Sequence, residues 1–174
     1  MSTSDAVVTL GPLRAADRKR VRPMVVGTGV FRPDEVDVAA EVFDDAVARP
    51  GVDYCGLGAY DDAGTLLGFT IYGHTPCTTA TWDLYWIVVD PSAQRLGLGR
   101  RLMDAAERDI RSRAGRLVVV ETSSRDDYGP TRTFYESIGY DRTARIPEYY
   151  APQDDLIVYT KVLDPPETAA GHYG

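Results

Sequence analysis

The segment Gln94-Arg95-Leu96-Gly97-Leu98-Gly99-Arg100-Arg101 concentrates residues that could do chemistry. It follows a strand-like run, Trp82 to Val89, and opens an amphipathic run. Backbone N–H groups at a helix start carry partial positive charge and lack partners within the helix. Gly97 and Gly99 remove the side chains that would keep an anion away from those groups, and Arg95, Arg100 and Arg101 surround them. The chemistry is the binding of a phosphate or pyrophosphate. The segment is not a P-loop, because Gly-Lys-Ser/Thr is absent. It is not a dinucleotide fingerprint either, because Leu102 stands where a third glycine belongs. A turn that uses glycine only for its backbone angles is the plainer alternative.

Two carboxylates stand where proton transfer is useful. Asp83 lies inside the apolar strand run and shares a strand face with Tyr85. An acid in such a place is costly unless it is paired or used. Glu121 ends the next strand run, and the C-terminal ends of such strands open into clefts. Glu148 is a third acid, expected on a loop with Tyr149, Tyr150 and Asp154. The plainer roles are an exposed strand start for Asp83 and an ion pair or helix cap for Glu121. His74 and His172 are the only histidines, and no nucleophile motif accompanies His74. Cys55 and Cys77 read as small buried hydrophobes rather than nucleophiles or a disulfide framework. No Cys/His cluster or calcium loop is present in the sequence, so no metal is expected.

The elements that must position these residues follow from periodicity and turn signals. Residues 6–10 read as a first strand ended by Gly11-Pro12, and 15–26 as a helix limited by Pro23. Pro33-Asp34-Glu35 opens a helix that runs to Arg49, with Val38, Val42, Phe43 and Val47 on one face. Residues 53–60 and 66–73 form a hairpin about the turn Asp61–Gly64. A second hairpin-like connection, 74–80, leads into strand 81–89. The helix 98–113 turns Leu98, Leu102, Ala105, Ala106 and Ile110 inward, and Arg100, Arg101, Asp104, Glu107, Arg108 and Arg111 outward. Gly115 ends it, and 116–122 reads as a central strand, which completes a parallel βαβ unit. A helix over 129–138 and an antiparallel pair, 140–146 with 156–163, follow. The class is α+β with a mixed sheet. Residues 1–163 read as a single domain and 164–174 as a disordered tail.

With Val89-Asp90-Pro91 in front of it, Gln94-x-x-Gly97-x-Gly99 resembles the pyrophosphate loop of the GNAT superfamily of acyl-CoA-dependent N-acyltransferases. Phe134-Tyr135-Glu136-Ser137-Ile138-Gly139-Tyr140 resembles a second motif of that family. The resemblance implies the GNAT fold: a central, mostly antiparallel mixed sheet of about seven strands, one parallel βαβ unit and flanking helices. It implies acetyl-CoA as co-substrate and transfer to a primary amine. A small-molecule amine is the first expectation. A protein lysine or N-terminal amine, or a non-catalytic acyl-CoA sensor, are the alternatives. By the same resemblance Gln94, Arg95, Gly97, Leu98, Gly99 and Arg100 hold the pyrophosphate. The backbone of Ile87, Val88 and Val89 pairs with the pantetheine arm, and an N–H of Val88 or a neighbour serves the oxyanion. Tyr135 is the acid beside the CoA sulfur. Asp83 or Glu121 is the base, and Gly27 to Arg49 line a substrate cleft. Tyr128 and Thr131 depart from the family's usual asparagine and alanine. Arg132 could reach a CoA phosphate or simply face solvent.

Composition agrees with such an enzyme. The 174 residues carry a net charge of −7, which disfavours nonspecific nucleic-acid binding and mildly favours a cationic substrate. No apolar run reaches the ~20 residues of a membrane span, and the N-terminus lacks a signal-peptide pattern. The expectation is a cytoplasmic protein with no membrane partner, and the resemblance leaves room for a homodimer.

Overall fold

The structure, a computed structural model, describes residues 7–164. The tail from residue 165 onward, with His172, lies outside them. The elements are β1 (Thr9–Pro12), α1 (Arg18–Gly27), α2 (Pro33–Ala48), β2 (Cys55–Tyr60), β3 (Leu66–His74), β4 (Thr81–Val89), α3 (Leu98–Ser112), β5 (Leu117–Ser123), α4 (Gly129–Ser137), β6 (Asp141–Ala151) and β7 (Asp154–Val162). Short 3₁₀ turns precede α1, α3 and α4. The seven strands are ordered β1-β2-β3-β4-β5-β7-β6. The pair β4–β5 is parallel, and β1–β2, β2–β3, β5–β7 and β6–β7 are antiparallel. This is the expected mixed α+β sheet. The chain forms two compact units, one up to Gly73 together with Tyr85–Ala106, the other of His74–Leu84 and Glu107 onward.

In the first unit, β2 and β3 form the expected hairpin. The Asp61 carboxylate accepts from the N–H groups of Ala63 and Thr65 at 3.0 and 2.8 Å, and Gly64 takes a left-handed φ of 76°. The first strand is displaced from 6–10 to Thr9–Pro12 and includes its proline. Because β1 is an edge strand, the missing N–H of Pro12 costs no ladder bond. Pro23 does not limit its helix, which runs through it to Gly27. Burial of Val21, Met24 and Val25 offsets the lost hydrogen bond. On α2 the buried stripe is Val36, Ala39, Ala40, Phe43 and Ala46, whereas Val38 is exposed. Val42 and Val47 are partly buried against the same core, so of the expected face only Val38 is turned outward.

In the second unit, β5 is sandwiched between β4 and β7. Gly115 is required for space as much as for helix termination. A Cβ there would lie 2.1 Å from Ile110 Cγ2 and 2.8 Å from Trp82 Nε1, while Ala114 takes the left-handed φ of 59°. Two expectations are corrected. Strands β6 and β7 extend to Ala151 and back from Asp154, so Glu148, Tyr149 and Tyr150 lie in a strand rather than a loop. Cys77 is exposed, whereas Cys55 is buried as expected.

Glu107 is also misplaced by periodicity: it is only 3% exposed. Lys161 Nζ donates to both of its carboxylate oxygens at 3.0 and 2.9 Å, and to the Ile138 carbonyl at 2.9 Å. The Tyr140 hydroxyl donates to Glu107 Oε1 at 3.1 Å, and Arg111 stands 3.5 Å from Oε2. The carboxylate is tolerated because each oxygen is met by a donor. Removing the ammonium leaves a buried charge underpaired. Lys161→Met is therefore expected to lower the unfolding free energy by about 3 kcal/mol in urea titration. Asp109→Ala, which breaks the more exposed Arg113–Asp109 pair, should change it by less than about 1 kcal/mol.

Candidate functional site

The glycine loop is built from both ends. Asp90 caps the turn Pro91–Leu96: its Oδ1 accepts from the Ser92 N–H at 2.9 Å and the Ser92 hydroxyl at 2.6 Å. The hydroxyl bond, helped by Arg20 at 3.1 Å from Oδ2, holds the carboxyl below its usual pKa. The turn ends at Gly97 with φ 65° and ψ 23°, and α3 begins at Leu98. Leu98 and Leu102 are fully buried in a cluster with Val8, Ala59 and Ala93, which fixes the first turn of α3. The N–H groups of that turn lack intrahelical acceptors. A Cβ on Gly97 would meet nothing within 4 Å, so the space before the loop is open.

The side chains divide sharply. Gln94, Arg95 and Arg100 are exposed, and neither arginine pairs with an acid among the described residues. Arg101 instead donates to the Val8 carbonyl at 2.7 Å, tying α3 to the residues before β1. Ile87 and Val89 pack on the Leu98 cluster, and Val88 is buried on the other face of β4. Their side chains are structural, so any ligand contact they make is through the backbone. The register of β4 with β5 runs from Thr81–Leu117 to Leu84–Val120.

In the second unit, Asp83 opposes Val119 across β4–β5, so Asp83, Val119 and Glu121 share one sheet face. Asp83 is half-buried and Glu121 exposed. Partial desolvation of its carboxyl raises the Glu121 pKa, and the negative charge of Asp83 adds to the shift. Asp83 Oδ2 accepts a hydrogen bond from the Thr75 hydroxyl at 2.7 Å. Among the described residues it pairs with no cation. Sequence reasoning passed over Thr75. The signal available was its position just across a tight strand connection from Asp83.

Tyr135 is 4% exposed, with its ring against Phe134, Tyr140 and Tyr159 at 5.4, 5.8 and 6.0 Å between centroids. Its hydroxyl makes no hydrogen bond with the described residues, although a buried tyrosine ordinarily has a partner. Burial raises its pKa well above that of a free phenol, with Tyr128 contributing, so it remains protonated. A phenol already holds its proton more tightly than a thiol, about 10 against about 8.5. Tyr135 is therefore suited to donate a hydrogen bond to a developing thiolate rather than to surrender its proton freely.

Two candidates fall outside this arrangement. Arg132 donates to the carbonyls of Ser123 and Arg125 at 2.7 and 2.8 Å, so it neither faces solvent freely nor extends toward a phosphate. It clamps the link between β5 and α4. Glu148 has a φ of 50° in β6; its Oε1 accepts from the Gln153 N–H and its own N–H donates to Asp155. It lines an open basin of about 570 Å³ with Arg142 and Arg145, away from the face of Asp83 and Glu121. Among the described residues no cluster suits a metal ion, and no helix is long and apolar enough to cross a membrane.

A seven-stranded mixed sheet with one parallel pair, and a glycine loop leading into the helix between those two strands, defines an acetyltransferase architecture. Residues 53–142 match the family model of the acetyltransferase (GNAT) domain, and the chain belongs to that family. It is 35% identical over 107 residues to the mycothiol acetyltransferase of Thermomonospora curvata, covering 60% of this chain and 34% of that protein. It is 29% identical over 158 residues to the N-alpha-acetyltransferase RimI of Mycobacterium tuberculosis, covering 86% and 89%. The chain thus spans less than half the length of two of the curated relatives that it matches. Among solved structures, a protein assigned to the GNAT acetyltransferases from Desulfovibrio desulfuricans superposes with TM-score 0.85 and 38% identity, covering 90% and 99%. A Salmonella typhimurium protein solved with acetyl-CoA as its cofactor shares the fold, with TM-score 0.71 and 19% identity, covering 91% and 95%.

The charge coupling between the two acids can be measured directly. In Asp83→Asn the like charge is gone, so the Glu121 pKa should fall, yet stay above an ordinary glutamate because desolvation persists. Side-chain carboxyl NMR titration reads this shift. An unchanged Glu121 midpoint would show that the acids do not interact.

Proposed function

We propose that this chain transfers an acetyl group from acetyl-CoA to the primary amine of a small molecule. The observation that supports this most is the pair Asp83 and Glu121 on one sheet face, with the Glu121 pKa raised. An aliphatic amine has a pKa near that of lysine, about 10.4, and must lose a proton before it can attack. Two carboxylates attract the ammonium, and an acid of raised pKa is the better acceptor of its proton. When bound, acetyl-CoA supplies a thioester: the amine nitrogen bonds to its carbonyl carbon, and the C–S bond breaks with the electron pair leaving on sulfur. The hydroxyl of Tyr135, which has no hydrogen-bond partner among the described residues, donates to that sulfur. Arg95 and Arg100, with Gln94, Gly97, Gly99 and the N–H of Leu98, hold the pyrophosphate. The backbone of Ile87, Val88 and Val89 serves the pantetheine arm and the oxyanion. Work in the cytoplasm belongs to the same proposal.

The likeness to RimI over most of both chains supports a second reading, in which the acceptor is the N-terminal amine of a protein. A panel of small primary amines and short peptides with free N-termini separates the two, with CoA release followed by a thiol reagent. Turnover with small amines supports the first reading, and turnover with peptides alone supports the second. Acetyl-CoA binding without turnover on either set would overturn both and leave a sensor.

Tyr135→Phe keeps the ring packing and removes only the donor. Turnover should fall about 10²-fold, with acetyl-CoA affinity unchanged. Because the hydroxyl has no partner to lose, unfolding free energy should stay within about 1 kcal/mol of the parent. Full activity under conditions where acyl transfer limits the rate would remove Tyr135 from the mechanism.

Gly97→Glu places a like charge before the loop and should weaken acetyl-CoA binding at least about 100-fold by calorimetry. Gly97→Ala meets no steric obstacle and bears only the left-handed backbone cost of about 1–2 kcal/mol. Its affinity should remain within about tenfold of the parent. Equal affinities for the parent and the glutamate variant would remove the phosphate-loop assignment.

A further inference from the structure

Asp83 is a half-buried acid without a cationic partner among the described residues, and its carboxylate accepts a hydrogen bond from the Thr75 hydroxyl. An acid kept for stability is ordinarily paired with a cation or with several donors. Here a single neutral hydroxyl fixes one oxygen, Oδ2, and Oδ1 has no side-chain partner among the described residues. We propose that Thr75 is the positioning residue for Asp83, setting the carboxylate so that Oδ1 meets the acceptor's ammonium. This rests on the reading of Asp83 and Glu121 as the acid pair that binds and deprotonates the amine.

The connection between β3 and β4 is built to hold that hydroxyl still. The Thr75 N–H donates to the Thr81 carbonyl at 2.9 Å, and the Thr75 carbonyl accepts from the Thr78 hydroxyl at 2.7 Å. With its N–H and C=O both engaged, the Thr75 backbone cannot turn freely. The β-branched side chain has few rotamers left, and the observed one puts Oγ1 2.7 Å from Asp83 Oδ2. The connection also carries two non-glycine residues in the left-handed region, Cys77 at φ 61° and Ala80 at φ 60°. Such conformations cost free energy and persist only where the surroundings impose them. A slacker loop would avoid that strain but would leave the hydroxyl, and so the carboxylate, undirected.

The consequence is a dependence of amine turnover on a residue that touches neither substrate. Misdirection of a proton acceptor by a fraction of an ångström is enough to slow a reaction by tenfold or more. A double-mutant cycle on the whole chain tests this, using the best amine of the panel, with kcat and the acetyl-CoA KM measured separately. Thr75→Val keeps the shape and removes the donor. Its kcat should fall about tenfold with the acetyl-CoA KM unchanged. Thr75→Ser restores the donor and should recover kcat to within about threefold of the parent. In an Asp83→Asn background, Thr75→Val should cost no more than about twofold further, because the group it positions is gone. Thr75→Ala replaces the valine variant if its melting curve shows a folding defect.

Equal kcat for the valine variant and the parent, with Asp83→Asn still slow, overturns the role of Thr75 and leaves the acid pair standing. A loss in the serine variant equal to that in valine makes Thr75 a packing residue and also overturns the inference. Full activity in Asp83→Asn removes the base reading itself, and the positioning role with it.

Discussion

Strands β4 and β5 pair in parallel from Thr81–Leu117 to Leu84–Val120, and the acid pair proposed for this chain depends on that register. Up to Leu84 the two strands satisfy each other, which puts Asp83 and Glu121 on one face of a continuous piece of sheet. Beyond Leu84, β4 keeps the extended form for five more residues, Tyr85–Val89. The same residue, Leu84, is where the chain passes from one compact unit to the other. The anion loop belongs to the unit that follows, and the two acids to the unit that precedes.

The local parts of this arrangement are legible in the sequence because they are decided locally. A glycine loop between an apolar strand and an amphipathic helix, or an Asp-Asp-Ala-Gly turn between two apolar runs, is specified within a dozen residues. What could not be read depends on contacts that periodicity and turn signals do not specify. Glu107 looks like a solvated helix charge until Lys161, 54 residues on, is found against it. Arg101 looks like a third phosphate ligand until its guanidinium meets the carbonyl of Val8. Arg132 looks free until two carbonyls at the end of β5 are seen to take it. Glu148 reads as a loop residue, whereas β6 runs on through it and pairing with β7 resumes at Ala151. In each case a tertiary contact decided between roles that local pattern left equal.

The electrostatics of the chain are arranged by position rather than by total. The acidic excess of the whole would repel a pyrophosphate, yet two arginines beside Gly97 pair with no acid among the described residues. Acids that lie near other parts of the surface are neutralised at short range, as Asp90 is by Arg20 and Asp155 by Arg145. Asp83 and Glu121 are the reverse case: the charge of Asp83 adds to the desolvation that raises the Glu121 pKa, and neither carries a salt bridge among the described residues. Buried aromatic rings surround Tyr135, and that setting keeps its hydroxyl protonated while offering it no acceptor. Uncompensated groups of these kinds are costly to a fold, and their concentration on a few elements marks where the fold has been used for something else.

The exposed thiol of Cys77 brings a practical liability to any study of this chain. Reagents that report free CoA through its sulfur will also modify Cys77, adding up to one equivalent of signal per chain, while buried Cys55 reacts slowly. Modification there would load a bulky adduct onto the same short connection that carries Thr75. Removing the thiol needs care, because the backbone at this position has φ 61°. Serine inherits the strain that cysteine bears, whereas asparagine or glycine adopts that geometry more readily. A glycine at this position would relax the connection and an asparagine would preserve more of its stiffness, which makes asparagine the better silent replacement.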